Sequence, residues 1–358
     1  MVTGKWIILL LPIFLPISFS LAFCSGEIPD VEAQIAFVKE AKQFGENILG
    51  IKPNKLFEVY SENLQEKTIY VLYWFPRYKI PQDKKDLFRL WGEKIYEGDD
   101  FWINLKITNN DSLDKKYSKK MLEFFKTKLL EDKMDIFERE YTVSSQTKEI
   151  TPLFLSFSQV DQAMLIFHEG FHNMVDNIEF NKLRSLDILE EAIASIIGFQ
   201  GAILFTSQKF GISSPQYLEA LKIFERSKQK ADFINIITAI LNGIYQSDFI
   251  SNEEKQKMIE RLMAEIACCD KEYKEWREAP LNKWDRIPPP EIPNPLFFIY
   301  HSTYTKYFPL IAAVYEKINN PKEFIELVVK KMPVSSEQAA VDFLKNFLLD
   351  CEVWEPPS

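Results

Sequence analysis

Two of the three histidines in this 358-residue chain stand four apart around a glutamate, in His168-Glu169-Gly170-Phe171-His172. On a helix the positions i and i+4 lie one above the other on the same face, so both imidazoles can reach one metal ion. Glu169, next to the first of them, is then placed to act as base towards a water that the ion activates. This is the chemistry of a zinc hydrolase. The bland alternative is a helix whose histidines satisfy buried hydrogen bonds, but a purely structural site has no need of Glu169.

Catalytic zinc takes three protein ligands and keeps a further position for water, so a third ligand is required. The metzincin extension would place Gly and His at positions 175 and 178, which are Val175 and Ile178, and that arrangement is excluded. A glutamate from a downstream helix remains, and Leu189-Glu190-Glu191-Ala192-Ile193-Ala194 opens one. Glu191 shares its face with Ala194, Ser195 and Gly198, small enough for close approach to the motif helix, and is the favoured ligand. Glu190 heads a stripe of Ile193, Ala194 and Ile197 and is read as a solvated carboxylate or one lying behind the ligands. The expected metal set is His168, His172 and Glu191, with one Zn²⁺ per chain.

The elements that must position these residues form an α+β fold that is predominantly helical. Ser158 with Asp161 three residues on starts the motif helix, which runs to Val175. Further helices are expected over residues 31–49, ending at Gly50, and over 84–96, 119–140, 186–205, 215–224, 230–245, 252–268, 297–318 and 336–349. Thr68 to Phe75 is the best strand, with Phe101 to Ile107 as its candidate partner. The proline-rich stretch from Ile287 to Pro295 reads as an extended connection. The chain divides into a leader (1–24), a mixed α/β half (25–157) and a helical zinc-binding half (158–358), the last two forming one catalytic unit.

A net charge of −9 without a basic, aromatic-interleaved run argues against a nucleic-acid partner. Lys5 followed by an apolar run from Trp6 to Phe23 reads as an export signal. Leu21-Ala22-Phe23-Cys24 has the outline of a lipoprotein box with Cys24 as the acylated residue, although Phe23 occupies a site that usually holds a small side chain; a soluble exported chain and an uncleaved anchor are the alternatives. Cys268, Cys269 and Cys351 are either reduced and partly buried or, in part, joined in one bridge between Cys351 and a member of the adjacent pair.

The motif helix followed by Glu191-Ala192-Ile193-Ala194 and Gly201 resembles the bacterial aminopeptidase family with a gluzincin-type HExxH site. Ala41-Lys42-Gln43-Phe44 through Leu49-Gly50, Tyr70-Val71-Leu72-Tyr73, and Asn294 with Thr303-Tyr304 are similar to further segments of that family. The interval from His172 to Glu191 is longer than the family's, which marks a distant member with an inserted loop around Asn177 to Asp187. The resemblance implies a zincin-like fold, zinc, a peptide substrate, Glu169 as general base, and Tyr304 as the hydrogen-bond donor to the developing oxyanion. His301 shares a helical face with Tyr304 and is a second candidate for that role. A noncatalytic zincin-like binding protein and a zinc hydrolase of non-peptide amides are the rival functions.

Overall fold

The computed structural model of the chain describes residues 30–62, 68–77, 88–97, 100–106, 115–142, 149–176, 183–278 and 293–350. The leader with Cys24, the C-terminal Cys351, residues 177–182 of the expected insertion and residues 287–292 of the proline-rich stretch lie outside the described residues. Cys268 and Cys269, at the end of a helix, are exposed and not partly buried.

Helix α1 (Val31–Phe44) starts where the Asp30 carboxylate accepts from the backbone N–H of Glu32, and a π-helical turn, Gly45–Leu49, carries it on to Gly50. Gly50 sits at φ 83°, the left-handed conformation that glycine adopts without steric cost. Strand β1 (Val59–Tyr60) follows, and then β2 (Thr68–Pro76), β3 (Phe88–Glu97), β4 (Asp100–Lys106) and β5 (Lys115–Ser118). Helix α2 (Lys119–Glu131) leads into β6 (Met134–Thr142), and β7 (Glu149–Ile150) pairs in parallel with β1. The larger sheet is antiparallel, in the order β5-β4-β3-β2-β6.

Three expectations for this half are corrected. Residues 88–96 are not helical: they form β3, with Gly92 opposite Tyr70 of β2. The helix from Lys119 stops at Glu131, because Lys133 takes φ 58° and turns the chain back as β6. Strand β4 pairs with β3 and not with β2, whose two edges are filled by β3 and β6.

The rest is helical: α3 (Pro152–Leu155), α4 (Gln159–Val175), a 3₁₀ turn (Leu183–Leu186), α5 (Asp187–Phe210), α6 (Pro215–Gln246), α7 (Asn252–Cys269) and α8 (Lys271–Glu278). Helices α9 (Pro295–Thr305), α10 (Phe308–Ile318), α11 (Pro321–Glu326) and α12 (Glu337–Asp350) complete it. The two helices expected over 215–245 are one, since the polar stretch at 225–230 contains neither glycine nor proline. The single helix expected over 297–318 is two, with Pro309 in the first turn of the second. The protein is therefore an α+β fold dominated by helices.

The alternation of β2 binds the halves together. Tyr70 and Leu72 face Leu122 and Leu129 of α2, whereas Val71 and Tyr73 join Phe137 in a cluster with α6, α7 and α9. A separate core surrounds α4 and α5, which lie side by side, α4 against α1 and α5 against α10, with α12 packed on α10. Helix α5 is the one described helix long and apolar enough to cross a membrane, but 67% of its apolar window is buried inside the fold, as befits the central core helix.

Candidate metal centre

Helix α4 begins at Ser158, whose hydroxyl accepts from the backbone N–H of Asp161 at 3.1 Å, so both motif histidines fall well inside the helix. Phe167 and Phe171 on either side of His168 are fully buried and turn that part of α4 into the core. The opposing face of α5 is built from small residues. A Cβ on Gly198 would lie 3.0 Å from the Met164 carbonyl oxygen and 3.3 Å from His168 Cβ, and one on Gly201 only 2.6 Å from Phe167 Cδ2. Glycine at these two positions is what lets α5 approach closely enough to bring Glu191 up to the histidines.

Three donor atoms converge at this contact. His168 Nε2 and His172 Nε2 are 3.0 Å apart, and Glu191 Oε2 lies 3.7 Å from the first and 3.5 Å from the second. Zinc bound about 2.0–2.1 Å from nitrogen and oxygen donors in a tetrahedron spaces them about 3.3–3.4 Å apart, and the three separations bracket that edge. The residues present fit the ion, and the group His168, His172 and Glu191 could hold it.

The outer nitrogens of the two rings are also engaged. His172 Nδ1 lies 2.8 Å from Glu190 Oε1, and His168 hydrogen-bonds to the backbone of Ala194. Both interactions turn the Nε2 atoms inward, the arrangement that fixes metal-binding imidazoles elsewhere. Glu190 is buried at 4% exposure, so of the two roles open to it the solvated one is excluded. The apolar stripe that it heads, Ile193, Ala194 and Ile197, is buried with it and was the signal in the sequence.

The electrostatics are those of a dry, crowded site. Burial, reinforced by the neighbouring His172, pushes His168 down to about 3. Burial also opposes charge on His172, but its hydrogen bonds to Glu190 and Glu191 prevail and lift it to about 10. Glu169 is pushed up to about 7, first by burial and further by Glu191, against the pull of His172. A carboxyl poised there exchanges protons readily near neutral pH, as a general base must.

The remaining candidates lie on α9, which packs along α5, α6 and the sheet. His301 is surrounded by rings, with Phe297 at 4.6 Å, Tyr300 at 5.4 Å and Trp276 at 5.5 Å between centroids. Tyr304 is half-buried, packs against the same cluster and has Tyr300 at 6.1 Å. Asn294 serves as a cap: its carbonyl oxygen accepts from Phe297 N–H and its amide donates to Ile136 O of β6, tying α9 to the sheet. No family model, no curated protein and no solved structure significantly matches the chain.

Proposed function

We propose that the protein is an exported zinc-dependent peptidase with a zincin-like site, a distant relative of the bacterial aminopeptidases with a gluzincin-type motif. The observation that carries this reading is the convergence of His168 Nε2, His172 Nε2 and Glu191 Oε2, at 3.0–3.7 Å, with a buried carboxyl of raised pKa one residue from the first ligand. His168, His172 and Glu191 would hold the ion, and Glu190 and the backbone of Ala194 hold the rings. Zinc bound there would supply Lewis acidity and lower the pKa of water towards about 7.

The chain's own groups do the rest. Glu169 takes the proton from the attacking water and returns it to the nitrogen of the leaving amine. Phe167 and Phe171, buried around the motif, help to keep bulk water out and so strengthen each charge interaction within it. The phenol of Tyr304 would donate a hydrogen bond to the oxyanion of the tetrahedral intermediate, a role that rests on the family resemblance alone. His301, enclosed by aromatic rings, is assigned to packing in preference to the oxyanion.

Elemental analysis of protein purified without chelator tests the reading. One zinc per chain is expected, lost in His168→Ala and in His172→Ala. A chain that carries no zinc and takes none up on reconstitution removes the proposal.

A further inference from the structure

Helix α7 ends in two adjacent cysteines, Cys268 and Cys269, both free and both exposed. Consecutive side chains on a regular helix point about 100° apart and do not face one another. Here the two thiols hydrogen-bond to each other, and that contact with Cys268 raises the Cys269 thiol above its usual range. The pair sits at a loosely held helix end. Cys269 is the last residue of α7, Asp270 is extended at φ −75° and ψ 122°, and the closing bond from Asp270 N–H to Ile266 O is 3.3 Å long. The Asp270 carboxylate also accepts from the backbone N–H of Tyr273 at 2.8 Å and so starts α8, whose Tyr273 and Trp276 are buried. The last turn of α7 can therefore open while α8 stays anchored.

We propose that Cys268 and Cys269 are a redox-active dithiol, which closes a bond between its neighbouring sulfurs by exchange with a low-molecular-weight disulfide. The Cys268 thiolate attacks one sulfur of the external disulfide, breaks its S–S bond and expels one thiolate, leaving a mixed disulfide on Cys268. The Cys269 sulfur gives up its proton, attacks Cys268 Sγ and expels the second thiolate. The two protons from the protein thiols go to the two leaving thiolates. The pair is thus oxidised by two electrons, and the external disulfide is reduced to two thiols. The product is strained, because Cα atoms joined by a trans peptide are about 3.8 Å apart, below the usual disulfide span of about 4.4–6.8 Å. Strain makes such a bond easy to reduce, as regulatory bonds are and structural ones are not. The exchange does not depend on the zinc chemistry.

The full chain is reduced, freed of reductant and treated with oxidised glutathione under argon; the remaining thiols are alkylated, the chain is cut with trypsin, and the peptides are weighed by mass spectrometry. Cys268 and Cys269 fall together in the peptide from Leu262 to Lys271, apart from Cys24 and Cys351. That peptide should lose two hydrogens and carry no alkyl group, and treatment with reduced glutathione should return it to the doubly alkylated form. In Cys269→Ser, where no second thiol completes the exchange, glutathione should stay attached at Cys268. A parent peptide that remains fully alkylated, that retains glutathione, or that is joined to the peptide of Cys351 or to a second chain overturns the proposal. So does a closed bond that reduced glutathione fails to open, or a Cys269→Ser chain that takes up no glutathione at Cys268.

Discussion

Glu190 Oε1 lies 2.8 Å from His172 Nδ1, on the far side of the imidazole from the nitrogen that faces His168 and Glu191. This contact sets the ring's orientation and leaves Nε2 as the atom available for a metal. In the proposed site the adjacent glutamates thus have different tasks, one offering its carboxylate to the ion and the other gripping a ligand from behind.

Removing the charge of that grip should loosen the metal without removing a ligand. Glu190→Gln is expected to weaken zinc binding about 10- to 100-fold, the usual cost of losing a partner behind a ligand. Glu191→Gln, which alters a ligand itself, should weaken it more. Competition titrations with a chelating dye rank the two variants, and the reverse order would exchange their roles.

The close contact of α4 and α5 depends on glycine. In Gly201→Ala the new methyl would start 2.6 Å from Phe167 and 2.7 Å from Leu49, both in the core, so a loss of about 1–3 kcal/mol is expected from overpacking. In Gly198→Ala the methyl presses on the Met164 carbonyl and on His168 Cβ, and the effect should fall on zinc affinity as well as on stability. Thermal unfolding with and without zinc separates the two effects, and a Gly201→Ala protein as stable as the parent would contradict the packing described here.

Metal-free His172 keeps its proton up to about 10, since the hydrogen bonds to Glu190 and Glu191 overcome the burial that opposes its charge. A raised histidine stabilises the metal-free fold fully below its unfolded value near 6.5, and that contribution is lost as the pH rises through about 10. Zinc must displace the same proton, so apparent zinc affinity should rise about tenfold per pH unit across the neutral range. Calorimetry in two buffers of different ionisation heat counts the protons released; a count of zero would contradict the charged state of His172.

What the sequence made legible was local. His168 and His172 are read from a period of 3.6 residues, and Glu191 from the small residues on its face of α5, because both signals belong to one helix at a time. The pairing of Glu190 with His172 joins two helices and appears in the sequence only as the apolar stripe that drags Glu190 into the core. Strand β3 was harder still: Leu87, Leu90 and Trp91 mimic a helical face, and the register that makes the segment a strand comes from β2, some twenty residues away. The end of α2 could not be read either, since Lys133 adopts a left-handed conformation where no glycine announces a turn.

Substituting the proposed base tests the account most directly. Glu169→Gln preserves the size and hydrogen-bonding capacity of the side chain and leaves His168, His172 and Glu191 untouched. Zinc stoichiometry and peptide hydrolysis are measured together on this variant and on the parent loaded to the same metal content. The account predicts unchanged zinc with hydrolysis lowered by a factor of about 10² to 10⁴, the usual contribution of a positioned base. A variant that holds zinc and still cleaves peptide at the parental rate would contradict the mechanism.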